Sequence, residues 1–208
     1  MSRRSVLEAL SVYAECHPEE QAMVTRVRHL VMEREDCFQR ACWPGHITAS
    51  SWIFSHDLDH FLLTHHRKLG RWLQLGGHAD GDGSPLRVAL REAREESGMA
   101  EFDVLEPVRE GERPSAVLTP ADVDIHRIPA RPGEPEHEHH DLRFVLIAAA
   151  GQPLVMSEES SDLAWFPVEQ LETVGADESL LRLGRKALAM RAVRRGLAPP
   201  VQLGKIGN

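Results

Sequence analysis

Three glutamates crowded onto one short segment carry the most pointed chemistry in this chain. In "LQLGGHADGDGSPLRVALREAREESGM", residues 73–99, a helix turning about 100° per residue would place Glu92, Glu95 and Glu96 in one stripe. Like charges at i,i+4 spacing cost a helix about 0.2–0.5 kcal/mol per pair. Either water on an exposed face dilutes that cost, with Arg91 and Arg94 as partners, or a cation sits among the carboxylates. The preceding Gly76 and Gly77 can bring backbone carbonyls close to the same spot. Oxygen donors of this kind suit a hard divalent ion: Mg²⁺ takes octahedral oxygen ligands and keeps waters that phosphate oxygens can replace. Such an ion neutralises phosphate charge and acidifies an attacking water.

Twelve histidines offer further candidates. His65, His66 and His78 lie near the glycines, and His137, His139 and His140 fall in "HEHHD". That tract reads as a metal tract, part of a substrate pocket, or an exposed polar loop. His78 directly follows Gly76 and Gly77, where it can touch a phosphate or hydrogen-bond the turn. Glu158 and Glu159 in "SEESSD" are loop carboxylates, either catalytic or simply solvated. Trp72 and Trp165, in strand-rich runs, fit a core better than a base-stacking role. "GDGS" lacks the GK[ST] ending of a phosphate loop.

The elements that position these residues are legible from periodicity. Ser84 and Pro85 predict an N-cap and first turn for the acidic helix, which runs to about Ser97 before a stop at Gly98. "ITASSWIFS" and "FLLTHH", joined by "HDLDH", predict a hairpin, and "WLQLGGHA" one more short strand ending in glycines. Strands follow at "FDVLEPV", "SAVLTPADVDIHRIPA" (interrupted at Pro120), "LRFVLIAAA" and "LAWFPVEQL", with "RPGEPEHEHH" as a loop. Residues 1–45 read as helical, through Val6, Leu7, Leu10 and Tyr13 and then Met23, Val27, Leu30 and Val31. Asp177 caps a last helix that stops at Gly196. Mixed strands with helices before, between and after predict an α/β or α+β sandwich.

Composition narrows the class of protein. With 208 residues, 42% hydrophobic and 27% charged, the chain has room for one substantial domain and an extension. A formal charge of −8 argues against a duplex nucleic-acid partner. The three cysteines, Cys16, Cys37 and Cys42, form no CxxC pair and read as reduced thiols. No uncharged run approaches the length of a membrane span, so the cytoplasm is the default location.

From Gly77 to Met99 the sequence resembles the Nudix box, G-x5-E-x7-R-E-U-x-E-E-x-G-U, with U a bulky aliphatic residue. Gly77, Arg91, Glu92, Glu95, Glu96 and Gly98 fall in register, and Met99 takes the last apolar position. Ala93 is smaller than the usual residue. The pattern's first Glu falls on Gly83, with Asp82 one position earlier as its candidate substitute. The resemblance implies a Nudix-type α/β/α sandwich with a mixed sheet, with residues 1–45 as an N-terminal helical extension and 46–208 as the hydrolase domain with its C-terminal helix. It also implies metal-dependent cleavage of a small molecule, a nucleoside diphosphate linked to another moiety. By position, Glu92, Glu95 and Glu96 would bind Mg²⁺ or Mn²⁺ together with the Gly76 carbonyl. Arg91 would orient the carboxylates, Glu96 or a later-loop residue such as Glu159 would act as general base, and Gly77, His78 and His139 would face the substrate. Pairing is frequent in the family and leaves a homodimer open. Two rivals stand beside this reading. One is a nucleotide sensor with weak or no turnover, suggested by Gly83. The other is an isopentenyl-diphosphate-isomerase-like enzyme, which would want a reactive cysteine in the pocket.

Overall fold

A computed structural model describes residues 2–107, 118–158 and 160–197. Helices α1 (Arg3–Cys16) and α2 (Gln21–Glu33) are joined by a 3-10 turn that Pro18 opens, and each buries one stripe. Strand β1 (Gly45–Phe54) is buried along its whole length because both its faces are covered. It runs through a turn into β2 (His60–His66), with Ile53 opposite Leu62 and Phe54 opposite Phe61. The expected single strand at 72–79 is two: β3 (Arg71–Leu73) pairs with β2, and β4 (Leu75–His78) pairs with β1. The break at Gln74 lets consecutive strands serve different neighbours.

The acidic helix is α3 (Pro85–Ser97), with the boundaries the sequence implies. Pro85 opens it, and Gly98 closes it at φ 72°, its N–H donating to the Arg94 carbonyl at 2.9 Å. A left-handed residue is easiest for glycine, which has no Cβ to clash. Beyond it lie β5 (Phe102–Leu105), β6 (Asp122–Ile128), β7 (His137–Ala148), β8 (Ser160–Pro167) and α4 (Glu178–Arg194). Asp177 caps α4 by accepting from the Leu180 N–H. The expected strand from Ser115 falls partly outside the described residues, as do the tail beyond Leu197 and the carboxylate of Glu159.

These strands make one eight-stranded sheet with the path β3-β2-β1-β7-β5, to which β4, β6 and β8 attach. Its central pair, β1 and β7, is parallel, and the other pairs are antiparallel. Ile47, Ala49, Val123, Leu142 and Phe144 pack under α1, α2 and α3 on one face. On the other, Trp52, Phe54 and Val145 pack under α4 through Leu180, Leu183 and Ala187. The result is an α/β/α sandwich with a mixed sheet. Among the described residues, no helix is long and apolar enough to cross a membrane.

The segment 131–140, expected as loop, is loop only in its first part. His137–His140 are not loop: they open β7, paired with β1 on one side and β6 on the other. Their polarity reflects a lined cleft at this end of the sheet, and pairing from two sides fixes an extended backbone whatever the side chains are.

Candidate active site

Where α3 meets β4, backbone and carboxylate come together. An added Cβ on Gly77 would lie 2.6 Å from the Glu92 carboxylate carbon, so the strand passes directly over that side chain. Arg91 ties the two elements: its Nη2 donates to the His78 carbonyl at 2.7 Å and to Glu92 Oε1 at 2.6 Å. The Glu92 side chain is only 15% exposed. Burial pushes its carboxyl above the usual range, against the pull of Arg91.

Glu92, Glu96, Gly76 and Gly77 line one cleft of about 490 Å³, within the usual size of small-molecule sites. Glu95 is placed differently. Its side chain is 63% exposed, 4.0 Å from Arg91 Nε, and it does not line that cleft. Asp82 accepts from the Ser84 N–H and from Arg87, so it braces the start of α3. The hydrogen bonds of Arg91 go to His78 and Glu92 instead.

The opposite wall of the cleft is built by alternation along neighbouring strands. In β1, His46, Thr48 and Ser50 share a face, and in β7, His137, His139, Asp141 and Arg143 do the same. The parallel register sets His46 against His139 and Thr48 against Asp141. Thr48 and Ser50 both donate to Asp141, at 3.0 and 2.6 Å. Arg143, only 3% exposed, holds Asp141, Asp122 and Asp124 at 2.9, 3.2 and 3.0 Å. Arg182 and Lys186 of α4 reach the same aspartates, so the cleft floor is tied to the far helix layer. The polar positions recur with period 2, a signal in the sequence that the loop reading of 131–140 concealed.

Five imidazoles gather at this wall, those of His46, His78, His126, His137 and His139. His46, His78 and His139 each offer a ring nitrogen within 4.8 Å of the others'. His137 stacks 5.1 Å from His46 and lies 4.8 Å from the Trp43 ring. Burial, with the neighbouring cations and imidazoles, brings His78 down to about 4 and His139 to about 2. His46 is lowered too, first by burial and then by His137; the Cys42 backbone opposes this without reaching hydrogen-bond geometry. Burial thus favours the neutral form of all three rings.

The remaining candidates fall elsewhere. Trp72 packs edge-on to Phe166 at 4.9 Å, and Trp165 packs beside Leu62 and Leu146; neither lines the cleft. His140 points to the other face of the sheet, 3.4 Å from Glu138. Glu158 is exposed. Among the described residues no cysteine lines the cleft, and burial raises the Cys37 and Cys42 thiols to about 11.

The donor set at α3 fits a divalent cation. It is made of oxygens, one carboxylate is buried with a single arginine against it, and the glycine strand leaves no Cβ in the way. Fold and site thus define a class, an α/β/α sandwich with carboxylates and a glycine strand lining a small-molecule cleft. The NUDIX domain model matches residues 45–184, and the chain belongs to the Nudix family, hydrolases acting on pyrophosphate bonds that generally use a divalent metal.

Solved structures agree on the fold. A NUDIX-family hydrolase from Clostridium perfringens superposes with a TM-score of 0.54 at 23% identity, covering 70% of this chain and 97% of its own. The Ap4A hydrolase of C. elegans, in a binary complex, gives 0.52 at 16% identity, covering 71% and 98%. No curated protein matches the chain in sequence.

Proposed function

We propose that the chain is a metal-dependent pyrophosphohydrolase that cleaves a nucleoside diphosphate linked to another moiety by water attack on phosphorus. The observation that carries this reading is the buried Glu92 carboxylate beneath Gly77, fixed by Arg91 and sharing a cleft with Glu96 and Gly76. Glu92 and Glu96, with the Gly76 carbonyl, would hold Mg²⁺ or Mn²⁺, and Glu95 would join them only by swinging in from solvent. The bound ion supplies charge neutralisation at phosphate and a more acidic attacking water.

The chain's own groups do the rest. Arg91 fixes the Glu92 rotamer and the backbone at His78 together, so the donors are set before substrate arrives. Glu96, or a carboxylate of the later segment that carries Glu159, takes the proton from the attacking water. Arg40, Lys68, Arg71 and Arg131 line the cleft and bring cationic groups to an anionic substrate. Gly77, His78 and His139 face it from the walls. The neighbour from C. elegans is by its name an Ap4A hydrolase, and dinucleoside polyphosphates are included in the test for that reason.

The test is hydrolysis of a panel: nucleoside triphosphates including oxidised ones, ADP-ribose and other nucleotide sugars, dinucleoside polyphosphates, NADH and coenzyme A. Each is run with Mg²⁺, with Mn²⁺ and with chelator, beside Glu96→Gln. A metal-dependent activity lost in that variant is the expected result. Tight nucleotide binding with no turnover across the panel would refute the enzyme and favour a sensor.

A further inference from the structure

Three strands that are distant in sequence each deliver one histidine to a single point. His78 ends β4, His46 opens β1 and His139 opens β7, and one ring nitrogen from each lies within 4.8 Å of the other two. His46 is fully buried, and neither of its ring nitrogens meets a hydrogen-bond partner among the described residues. A buried ring with both nitrogens unsatisfied weakens a fold unless something else satisfies it. A proton does not meet the need, because it would leave His46 with two unpaired donors instead of one. A single cation accepts a lone pair from all of them.

The hydrogen bonds around the cluster prepare it for that role. His137 Nδ1 lies 2.8 Å from the Pro135 carbonyl, which can only accept, so this nitrogen carries the proton. His137 Nε2 is then an acceptor, 3.3 Å from His139 Nε2, which donates to it. That leaves the other ring nitrogen of His139 with its lone pair. Ligating histidines commonly donate their second N–H to a fixed acceptor in this way, which sets tautomer and orientation.

We propose that His46, His78 and His139 form a second metal site, for a borderline transition ion of the Zn²⁺ class, distinct from the carboxylate site on α3. Imidazole nitrogen selects Zn²⁺, Co²⁺ or Ni²⁺, whereas the oxygen donors of Glu92 and Glu96 suit Mg²⁺ or Mn²⁺. Three protein ligands leave a fourth position, the arrangement typical of zinc sites that stay open to a ligand. His78 and His139 line the cleft while His46 lies beneath them, so that position opens to the cleft and takes a water or an anionic oxygen of a bound ligand. The site does not depend on the hydrolase reading, since none of its ligands belongs to the carboxylate set.

The experiment uses the untagged full-length chain, stripped with chelator and titrated with Co²⁺. The expected result is one equivalent bound, with the intense visible bands of four-coordinate cobalt. Zn²⁺ should discharge them, and excess Mg²⁺ should leave them unchanged. His78→Gln and His139→Gln should each weaken binding by at least about a hundredfold, since even loss of a supporting partner costs 10–100-fold. Glu96→Gln should keep the bands while losing any Mg²⁺-dependent hydrolysis, which separates this site from the proposed activity. Should His139→Gln not fold, as judged by circular dichroism, His78→Gln at the end of β4 gives the same readout. Pale six-coordinate cobalt, bands that survive the histidine variants, or bands abolished by Mg²⁺ or by Glu96→Gln would each overturn the proposal.

Discussion

Replacing Gly77 with alanine should separate metal binding from stability. The new Cβ would sit 2.6 Å from the Glu92 carboxylate carbon, so that carboxylate must retreat by about 0.8 Å to reach ordinary contact at 3.4 Å. The displaced group is the far end of a flexible side chain, and Gly77 is not among the glycines with positive φ. Gly→Ala at a compatible backbone stabilises by about 0.4–1 kcal/mol through the unfolded chain, which offsets the small cost of moving Glu92. The midpoint of unfolding should therefore stay within about 1 kcal/mol of wild type. Function should not. A displacement of this size near reacting groups costs on the order of 100-fold in turnover, and Mn²⁺ affinity, read by calorimetry without any substrate, should fall about 10–100-fold.

Gly76→Ala is the matched control. Its Cβ would meet Ser50 Cα at 2.5 Å and the Ala49 carbonyl oxygen at 2.7 Å, which are backbone atoms of the neighbouring strand. Overpacking against atoms that cannot step aside should cost about 1–3 kcal/mol in denaturant unfolding. If Gly77→Ala destabilises as much as Gly76→Ala, or binds Mn²⁺ as tightly as wild type, the placement of Glu92 as a metal donor is wrong.

Two further outcomes test the cleft floor. Arg143→Ala leaves Asp122, Asp124 and Asp141 facing each other without their central cation, and should cost about 3–5 kcal/mol in unfolding free energy; a loss under 1 kcal/mol would mean that Arg182 and Lys186 suffice alone. Acid should act on the same cluster. Burial works to raise both carboxyls, but Arg182, Arg143 and Lys186 around Asp122, and His126, Arg143 and Arg182 around Asp124, hold them below the ordinary range. A depressed folded value gives stability that is fully present above the unfolded value of about 3.9 and is lost as pH falls from there through the lower folded value. Melting temperature should drop below about pH 4, and Asp124→Asn should flatten that limb; parallel limbs in the two proteins would remove Asp124 from the account.

Local chemistry was legible in the sequence wherever it lies within a few turns of chain. The acidic helix could be read from Pro85 to Ser97, because its start, its stop at Gly98 and the spacing of its glutamates are set by neighbouring residues. The hairpin of β1 and β2, and the Asp177 cap of α4, were readable for the same reason. What spacing alone did not convey is which carboxylate is buried. Glu92 and Glu95 differ only by where β4 crosses α3, and that crossing puts one beneath Gly77 and leaves the other in solvent. The histidine wall is further from reach. Its members are 32 and 93 positions apart from His46, and they meet only because β4 and β7 flank β1 in one particular register. Sequence periodicity gives the face of each strand; which strands lie side by side, and how far each slides along its neighbour, is decided by the packed sheet, where a shift of one residue would turn every one of these side chains to the other side.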